Sequence, residues 1–361
     1  MNLKIETPDE VLVRLRKPSL EPVNEFRLQQ DDWLILCGGF EDRALAVLRD
    51  AISHQSRLNV LLVRYQPAVH ENKNDAVADI CRGANVVGID YDRQNPQGFG
   101  IRLMEILSTC RGRVFVDVSA MSRLLIVQIL VALGTRQQGF FDCTVAYTEA
   151  CEYPPSESHA NAELARSAAD PTLSILFLSS GVFEITILPE LGSIAPAAAQ
   201  TRLIAFPSLD AHHLTALQNE IQPSRLSLIE GIPPNFANRW RRELIAEING
   251  IHRIRDAELC ATSTLDYRET LENLLRLYQK YSLNERLVVS PTGSKMQSVA
   301  VGIFRSFISD VQVVYPTPQG FCSPDKYTHG IGQSYALHLD LLSPPARGAV
   351  EGDQQLSATA S

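Results

Sequence analysis

The stretch that decides the fold is Leu34–Glu41 (LILCGGFE), because a stretch of the same design, Leu203–Asp210 (LIAFPSLD), follows it 169 residues later. Each is a short apolar run that ends in a turn and leads into a helical pattern. Three further pairs of segments keep the same order at nearly the same spacing: 57–61 with 225–229, 114–120 with 287–293, and 145–148 with 313–316. We therefore predict an internal duplication, in which one structural unit is written twice.

Both copies alternate continuous apolar runs with amphipathic stretches. Continuous Val/Ile/Leu runs are typical of strands buried on both faces, and helical crossovers between them indicate a parallel sheet. The predicted strands are 33–37, 58–64, 85–89, 113–118 and 143–148, then 202–206, 225–229, 258–262, 286–290 and 311–315. Ten to eighteen residues of helical pattern separate them. The fold class expected is α/β, with two tandem Rossmann-like, doubly wound parallel sheets that arise from internal duplication.

The same patterns divide the chain into five segments. Residues 1–29 are expected to be an N-terminal strand segment, 30–150 a first Rossmann-like domain, and 151–171 a polar linker. Residues 172–345 are expected to form the second domain, introduced by a hairpin at 173–188. The small polar residues of 346–361 predict a disordered tail.

Composition excludes several classes of protein. The chain has 361 residues, of which 45% are hydrophobic, enough for one or two cores. Its 33 basic and 41 acidic residues give a net charge of −8, which argues against a long nucleic acid as partner. The sequence contains no apolar run of membrane-spanning length, and its start, MNLKIETPDE, lacks the apolar core of a signal peptide. A cytoplasmic protein is the expectation.

Seven widely scattered cysteines, without a CxxC pair, predict reduced thiols rather than a disulfide framework or a zinc knuckle. The adjacent imidazoles of His212 and His213 would point about 100° apart on a helix, so no metal site is predicted there. No cofactor is predicted either, because GxGxxG, HExxH, GxSxG and DxDxDG patterns are missing from the sequence.

Ligands of open α/β sheets lie beyond the carboxyl ends of the strands, at the switch in strand order. The turns that follow the first and fourth strands of each copy are therefore the candidate sites: 37–43, 117–123, 206–212 and 290–296. In the first-strand turns, paired glycines permit close backbone approach to a ligand. Gly38, Gly39, Phe40 and Ser208 are the candidate ligand-binding residues there.

The strongest candidate is the turn Ser290–Lys295 (SPTGSK), which ends an apolar strand and begins an apolar-striped helix. Backbone N–H groups at a helix N-terminus, two hydroxyls and an ammonium suit a phosphate group. Thr292, Gly293, Ser294 and Lys295 are the predicted ligand contacts. The alternative is an ordinary hydroxyl N-cap followed by a solvent-exposed lysine.

Its counterpart in the first copy is Asp117–Arg123 (DVSAMSR). Ser119 and Ser122 are predicted to donate to the ligand, and Arg123 to make a bidentate phosphate contact. Asp117, at the strand end, is a candidate proton acceptor; the alternative is that it caps the helix and that Arg123 pairs with a carboxylate. A long loop after the last strand carries aromatic residues and His329, which suits base stacking or a satisfied surface histidine.

The strand, the Thr-Gly-x-Lys turn and the apolar helix at Ser290–Lys295 resemble the ligand loop of CARF domains, the Rossmann-like sensors of cyclic oligoadenylates. The tandem arrangement is similar to SAVED domains, which look like two fused CARF units. The resemblance implies that Thr292–Lys295 binds a nucleotide-like ligand and that Gly38–Phe40 and Pro207–Ser208 line the same site. It also implies a role in antiviral defence.

We therefore expect a sensor or regulator that binds a phosphorylated ligand, either a nucleotide or a cyclic oligonucleotide, between the two units. No effector motif accompanies them, so the output would need a separate effector protein. One alternative is a metal-independent phosphodiesterase, with Lys295 stabilising charge and Asp117 or His329 as general base. The other is an interaction scaffold whose turns bind no ligand.

Overall fold

The computed structural model describes residues 6–55, 57–67, 72–135, 141–169, 178–179, 181–194, 200–321 and 324–342. The elements up to residue 169 are α1 (Pro8–Arg14), β1 (Glu21–Val23), β2 (Trp33–Cys37), α2 (Ala46–His54), β3 (Asn59–Gln66), α3 (Asn74–Ile80), β4 (Asn85–Asp92), α4 (Phe99–Leu107), β5 (Val114–Asp117), α5 (Arg123–Thr135), β6 (Cys143–Thr148) and α6 (Glu157–Ala169).

The remaining elements are β7 (Val182–Ile187), β8 (Gln200–Ala205), α7 (Ala211–Ile221), β9 (Arg225–Ile232), α8 (Trp240–Ile248), β10 (Glu258–Ser263), α9 (Tyr267–Tyr281), β11 (Glu285–Ser290), α10 (Lys295–Phe307), β12 (Gln312–Pro318) and β13 (Ser334–His338). Short 3-10 helices lie at Asp42–Leu45, Pro189–Leu191, Phe236–Asn238, Ile251–Arg253, Pro324–Lys326 and Leu339–Leu341.

Two sheets contain these strands. The first has the order β1-β13-β6-β5-β2-β3-β4 and the second the order β10-β9-β8-β11-β12-β7. Five neighbouring strands are parallel in each, β4-β3-β2-β5-β6 and β10-β9-β8-β11-β12. Counted within its own unit, each set runs 3-2-1-4-5, the Rossmann order. The α/β class and the two Rossmann-like units are confirmed; we call them unit one and unit two.

Antiparallel strands extend each sheet beyond its fifth parallel strand. In unit two, β7 pairs with β12; in the first sheet, β13 pairs with β6, and β1 pairs with β13. Residues 334–338 therefore belong to the first sheet, although they lie within the segment 172–345 expected to form the second domain. The chain returns because β6 would otherwise leave an unpaired sheet edge.

Two other expectations about segments meet a different structure, while the expected hairpin and tail lie partly or wholly outside the described residues. The N-terminal segment contains the helix α1, held by a capping box between Thr7 and Glu10, besides the short strand β1. The expected linker contains α6, whose Ala160 and Leu164 pack against Leu244 of α8. Of the expected hairpin only Val182–Ile187 is described as a strand, because 170–177 and 180 lie outside the described residues, as do 343–361.

The core between the two sheets is built around α5 and α10. Residues 124–131 of α5 and 296–305 of α10 are buried throughout. The helix α5 is apolar on nearly every face, as expected for a helix covered on all sides, whereas α10 also buries the polar side chains of Gln297, Ser298 and Arg305. A Cβ added at Gly302 of α10 would lie 2.8 Å from Leu130 Cβ of α5. Gly302 and Leu130 are 172 residues apart, so they are equivalent positions of the two units and lie at the pseudo-two-fold axis that relates them. None of the described helices is long and apolar enough to span a membrane.

Candidate functional site

The carboxyl ends of β2, β5, β8 and β11 open onto one cavity of about 440 Å³. All four turns singled out in the sequence contribute to its wall: Gly39–Glu41, Ala120–Leu124, Pro207–Asp210 and Gly293–Lys295. The loop-bearing edges of the two units therefore face each other. The volume lies in the range of small-molecule binding sites.

The first residues of α5 and α10 are both basic, and each contacts the other unit. Arg123 Nε donates to the carbonyl oxygen of Gly293, and Lys295 Nζ donates to the carbonyl oxygen of Met121 at 2.8 Å. Met121 and Gly293 each lie two residues before the helix of their own unit, so exchanging the units converts one contact into the other. Two cations and two helix N-termini thus share one cavity wall, where both helix dipoles favour an anion.

The serines of these two turns cap the helices rather than donating freely into the cavity. Ser294 Oγ accepts from Gln297 N at 3.1 Å and donates to the carbonyl oxygen of Thr264 at 2.7 Å. Ser122 Oγ accepts from Leu125 N at 3.3 Å. Both residues line the cavity, but their hydroxyls already have partners, as the N-cap alternative for these turns predicts.

Three of the predicted ligand-binding residues lie behind the wall. Ser119 donates to Asp117 Oδ1 at 2.5 Å and accepts from Thr148 N, so its hydroxyl joins β5 to β6. Thr292 Oγ1 donates to the carbonyl oxygen of Phe206 at 2.7 Å and so joins the turns after β8 and β11. Gly38 faces Asn74, not the cavity. These turns bury their strand-proximal hydroxyls because the fully buried backbone there needs partners.

Asp117 is almost completely buried and does not line the cavity. Burial raises the pKa of its carboxyl to about 6, although bonds from Ser119 and the positive charges of Arg43 and Lys295 oppose the rise. Oδ2 of Asp117 has no hydrogen-bond partner among the described residues. Asp117, a candidate general base, is therefore a buried carboxylate behind the cavity wall.

The unit-one turn after β2 carries a buried ion pair that the sequence analysis did not identify. Arg43 lies 3.2 Å from Glu41, and their side chains are only 5% and 12% exposed. Arg43 also donates to the carbonyl oxygen of Thr148 at 3.2 Å, and Thr328 donates to Glu41. Burial alone would raise the pKa of Glu41, but Arg43, Lys295 and Thr328 hold that pKa below its ordinary value. This turn is electrostatically satisfied from within the protein.

Lys295 lies where these positive groups meet. Loss of water around its ammonium, with Arg43 and Arg123 nearby, lowers its pKa to about 8, against the opposing effect of Glu41. A cationic group with a lowered pKa on a cavity wall gains stabilisation from any anion that binds there.

The unit-two turn after β8 is different. His213 lines the cavity, its side chain is 3% exposed, and neither ring nitrogen has a hydrogen-bond partner among the described residues. The nearest carboxylate oxygen, Asp210 Oδ2, is 4.0 Å from His213 Nδ1. Burial lowers the pKa of His213 to about 4, with His212 and Arg123 acting in the same direction and Asp210 against it. The neighbouring His212 instead shares a hydrogen bond with Ser179 Oγ at 3.1 Å.

Phe321, Tyr327 and Thr328, which follow β12, line the cavity beside residues of unit one. Tyr327 contacts Phe40 with ring centroids 4.7 Å apart, and Arg93 lies 4.8 Å from the ring centroid of Phe321. His329 is not among the lining residues; its backbone pairs with Glu152. The cavity thus receives aromatic rings from both units: Phe40, Tyr65, Tyr91, Tyr147, Tyr153, Tyr315, Phe321 and Tyr327.

Sequence reasoning missed Arg43, Glu41 and His213. The repeat could have indicated these turns, since an acidic residue occupies the equivalent position in both, Glu41 and Asp210, 169 residues apart. Across the described ranges, no group of three or more His, Cys, Asp or Glu side chains could hold a metal ion.

Comparisons with known proteins give the site no assignment. No family model matches the chain, and no curated protein matches it. Among solved structures it is similar to the cytoplasmic domain of a prokaryotic cation chloride cotransporter, at 11% identity over 79% of this chain and 94% of that chain, with a TM-score of 0.23.

It is also similar to a ketoreductase domain from the bacillaene assembly line, at 12% identity and a TM-score of 0.20, and to an N-terminal ketoreductase from the macrolactin assembly line, at 11% identity and a TM-score of 0.19. Each likeness covers 82% of this chain and 72% of the other. At such TM-scores none of these three likenesses supports an argument about function. The assignment of the fold rests on the strand order.

Proposed function

We propose that the protein is a sensor or regulator that binds a phosphorylated ligand, a nucleotide or a cyclic oligonucleotide, in the cavity between its two units. The observation that carries the proposal is the reciprocal placement of Arg123 and Lys295 at two helix N-termini on one wall. A phosphate bound there would meet two cations and two helix dipoles.

The charge of the whole wall supports an anionic ligand. Arg43, Arg93, Arg123, Arg241 and Lys295 line the cavity, against the carboxylates Glu41, Glu149 and Asp210. Glu41 is paired with Arg43 and also acts on Lys295, so it offsets part of this positive charge. The surplus of positive charge is local, since the chain as a whole carries a net charge of −8.

The aromatic side chains support a ligand with flat rings. Bases stack on aromatic rings with about 1–3 kcal/mol per base. Phe40, Tyr153 and Tyr327 line the same cavity as Arg123 and Lys295, so one ligand could contact rings and cations together. The resemblance of Ser290–Lys295 to CARF ligand loops favours cyclic oligonucleotides, and a cytoplasmic role in antiviral defence through a separate effector is part of the proposal on that ground.

Binding is favoured over phosphodiester hydrolysis by the placement of the candidate bases. A general base must come within hydrogen-bond reach of the group it deprotonates. Asp117 lies behind the wall and His329 is not a lining residue. Chromatography of the incubated ligand separates the two functions, since a phosphodiesterase would release product and a sensor would return the ligand intact.

Isothermal titration calorimetry with AMP, ATP, cyclic di-AMP, cyclic di-GMP and cyclic tri-AMP tests the proposal. At least one of them is expected to bind with a 1:1 stoichiometry. Lys295→Ala is expected to weaken that ligand by about 10- to 100-fold, the usual size of a lost bond to a charged group. Arg253→Ala removes a cation whose side chain is 85% exposed and away from the cavity, and should change nothing.

If no phosphorylated compound binds, or if Arg253→Ala weakens binding as much as Lys295→Ala, the proposal is wrong. A protein that binds none of them but retains a copurifying partner after both Arg123 and Lys295 are replaced would instead be the interaction scaffold.

A further inference from the structure

The end of the cavity that belongs to unit two has a chemistry that a phosphate does not explain. Turns that follow the neighbouring parallel strands β8 and β9 build it. We call it the unit-two end, and define it by Ser208, Leu209 and His213 after β8 with Pro233, Pro234 and Asn235 after β9, all of which line the cavity.

His213 is the polar group at this end that lacks a partner. Its ring is buried, and both its nitrogens are without hydrogen bonds among the described residues. A buried polar group left unpaired destabilises the folded protein, and this one lies on a cavity wall. A bound group that hydrogen-bonds the ring would remove that cost.

The charge around His213 decides what kind of group that is. The ring is neutral near pH 7, because burial lowers its pKa to about 4. A neutral imidazole offers one N–H donor and one acceptor nitrogen and no net charge. The Asp210 carboxylate beside it would repel a phosphate, and the positive charge of Arg123 also acts on the ring. This end therefore suits an uncharged group that both donates and accepts.

Much of the rest of this end is apolar, with Ser208 and Asn235 as its other polar residues. Leu209, Pro233 and Pro234 present hydrocarbon beside the single ring of His213. Flat heteroaromatic rings bury well against such surfaces while presenting donors and acceptors at their edges. At the equivalent end in unit one, Glu41 already has partners, because it pairs with Arg43 and accepts a hydrogen bond from Thr328.

We propose that the unit-two end binds a nucleobase and that His213 reads the base edge with one donor and one acceptor, so that the ligand enters in a single orientation. The inference rests on the proposed function, since the phosphate of the same ligand would lie between Arg123 and Lys295. The two units thus share an anion site but not a base site.

Calorimetry with ribose 5-phosphate and with AMP, GMP, CMP and UMP tests this. Ribose 5-phosphate carries the phosphate and sugar without the base. At least one nucleotide is expected to bind the unaltered protein tenfold or more tighter than ribose 5-phosphate. His213→Phe should reduce that advantage to within about twofold and leave ribose 5-phosphate unchanged, whereas Lys295→Gln should weaken both.

Two companions keep the result interpretable. His213→Asn retains a donor and an acceptor and should keep part of the nucleotide advantage. His252→Phe, at an exposed histidine, should leave the nucleotide advantage unchanged. In the unaltered protein the imidazole ¹⁵N resonances of His213 should shift with the favoured nucleotide and not with ribose 5-phosphate.

The failures are distinguishable. Equal binding of ribose 5-phosphate and all four nucleotides overturns the base site and leaves the anion site standing. Equal weakening of both ligand classes by His213→Phe makes His213 structural and also overturns the inference. If ribose 5-phosphate, the four nucleotides and the cyclic compounds all fail to bind, the proposed function itself falls.

Discussion

The turns after the first strand of each unit, Cys37–Arg43 and Phe206–His213, start from the same place in the repeat and end in opposite electrostatic states. In unit one, Glu41 and Arg43 form a buried ion pair that Thr328 completes. In unit two, Asp210 has no arginine or lysine partner among the described ion pairs, and His213 is neutral and unpartnered. The polar side chains of the first turn have partners within the protein, whereas His213 in the second turn has none among the described residues.

The difference shows how a duplicated fold can bind an unsymmetrical ligand. The fourth-strand turns remain equivalent, because Arg123 and Lys295 make the same contact across the pseudo-two-fold axis. The first-strand turns have diverged. Under the proposed function, the shared strand order would fix where the ligand lies, and the divergent turns would fix its orientation.

The largest expected effect comes from breaking the closed turn. Glu41→Gln leaves the buried Arg43 without its carboxylate, and removing one partner of a buried pair costs about 3–5 kcal/mol. Asp210→Asn, at the equivalent position in unit two, should cost less than about 1 kcal/mol, because no arginine or lysine pair is lost and the amide oxygen can still accept from Ser179 N. Urea unfolding of both variants measures the contrast; equal losses would show that the two turns are not electrostatically different.

The second effect concerns the contact where the units are alike. Gly302→Ala would place a Cβ 2.8 Å from Leu130 Cβ, so α5 and α10 must separate, at an expected cost of about 1–3 kcal/mol in unfolding free energy. Gly100→Ala in α4, where the nearest atom is Ala132 Cβ at 3.3 Å, is the milder comparison and should cost clearly less, because a shift of a few tenths of an ångström relieves that contact. A Gly302→Ala protein as stable as the Gly100→Ala protein would contradict this packing of the two units.

The third effect sharpens the role of Lys295. Its pKa of about 8 means that the ammonium is largely charged at pH 7 and largely neutral at pH 9. An anion that requires the charged form should bind about tenfold more weakly at pH 9 than at pH 7. Lys295→Arg stays charged throughout and should flatten this dependence. Calorimetry at both pH values with the tightest nucleotide checks it, and an unchanged affinity of the unaltered protein would argue against a charged Lys295 at the anion.

The smallest effect concerns the ends of the fourth strands, where unit one has Asp117 and unit two has Ser290. The raised pKa of about 6 means that folding is penalised by the buried charge above pH 6, and that the penalty disappears as the pH falls from 6 towards the ordinary value. Asp117→Asn should raise stability by about 1 kcal/mol at pH 7.5, and the gain should vanish near pH 4.5. Thermal unfolding at the two pH values measures this gain. A variant that is less stable than the unaltered protein at pH 7.5 would contradict an unfavourable buried charge on Asp117.

Much of the fold could be predicted because the strands are written as uninterrupted apolar runs. Trp33–Cys37 and Val114–Asp117 are buried on both faces, and a one-residue error there leaves the assignment intact. The internal repeat then predicts the same Rossmann-like strand order in both units. The return of Ser334–His338 to the first sheet was not predictable, because a short alternating strand carries no information about which distant edge it pairs with.

The site could be predicted as a place more readily than as a set of contacts. Strand order brings the first-strand and fourth-strand turns of each unit together. The contacts between the units then bring the two pairs of turns to one cavity. Which hydroxyl faces inward depends on turn geometry, so Ser119 and Thr292 were expected to bind a ligand and instead bond to Thr148 and Phe206. The pairing of Glu41 with Thr328 joins residues 287 positions apart, beyond the reach of any local pattern.

A crystal structure with the tightest-binding nucleotide tests the account most directly. The phosphate is predicted between the starts of α5 and α10, within hydrogen-bond reach of both Arg123 and Lys295. A nucleotide that contacts one unit alone, or that lies outside the cavity, would contradict a shared anion site.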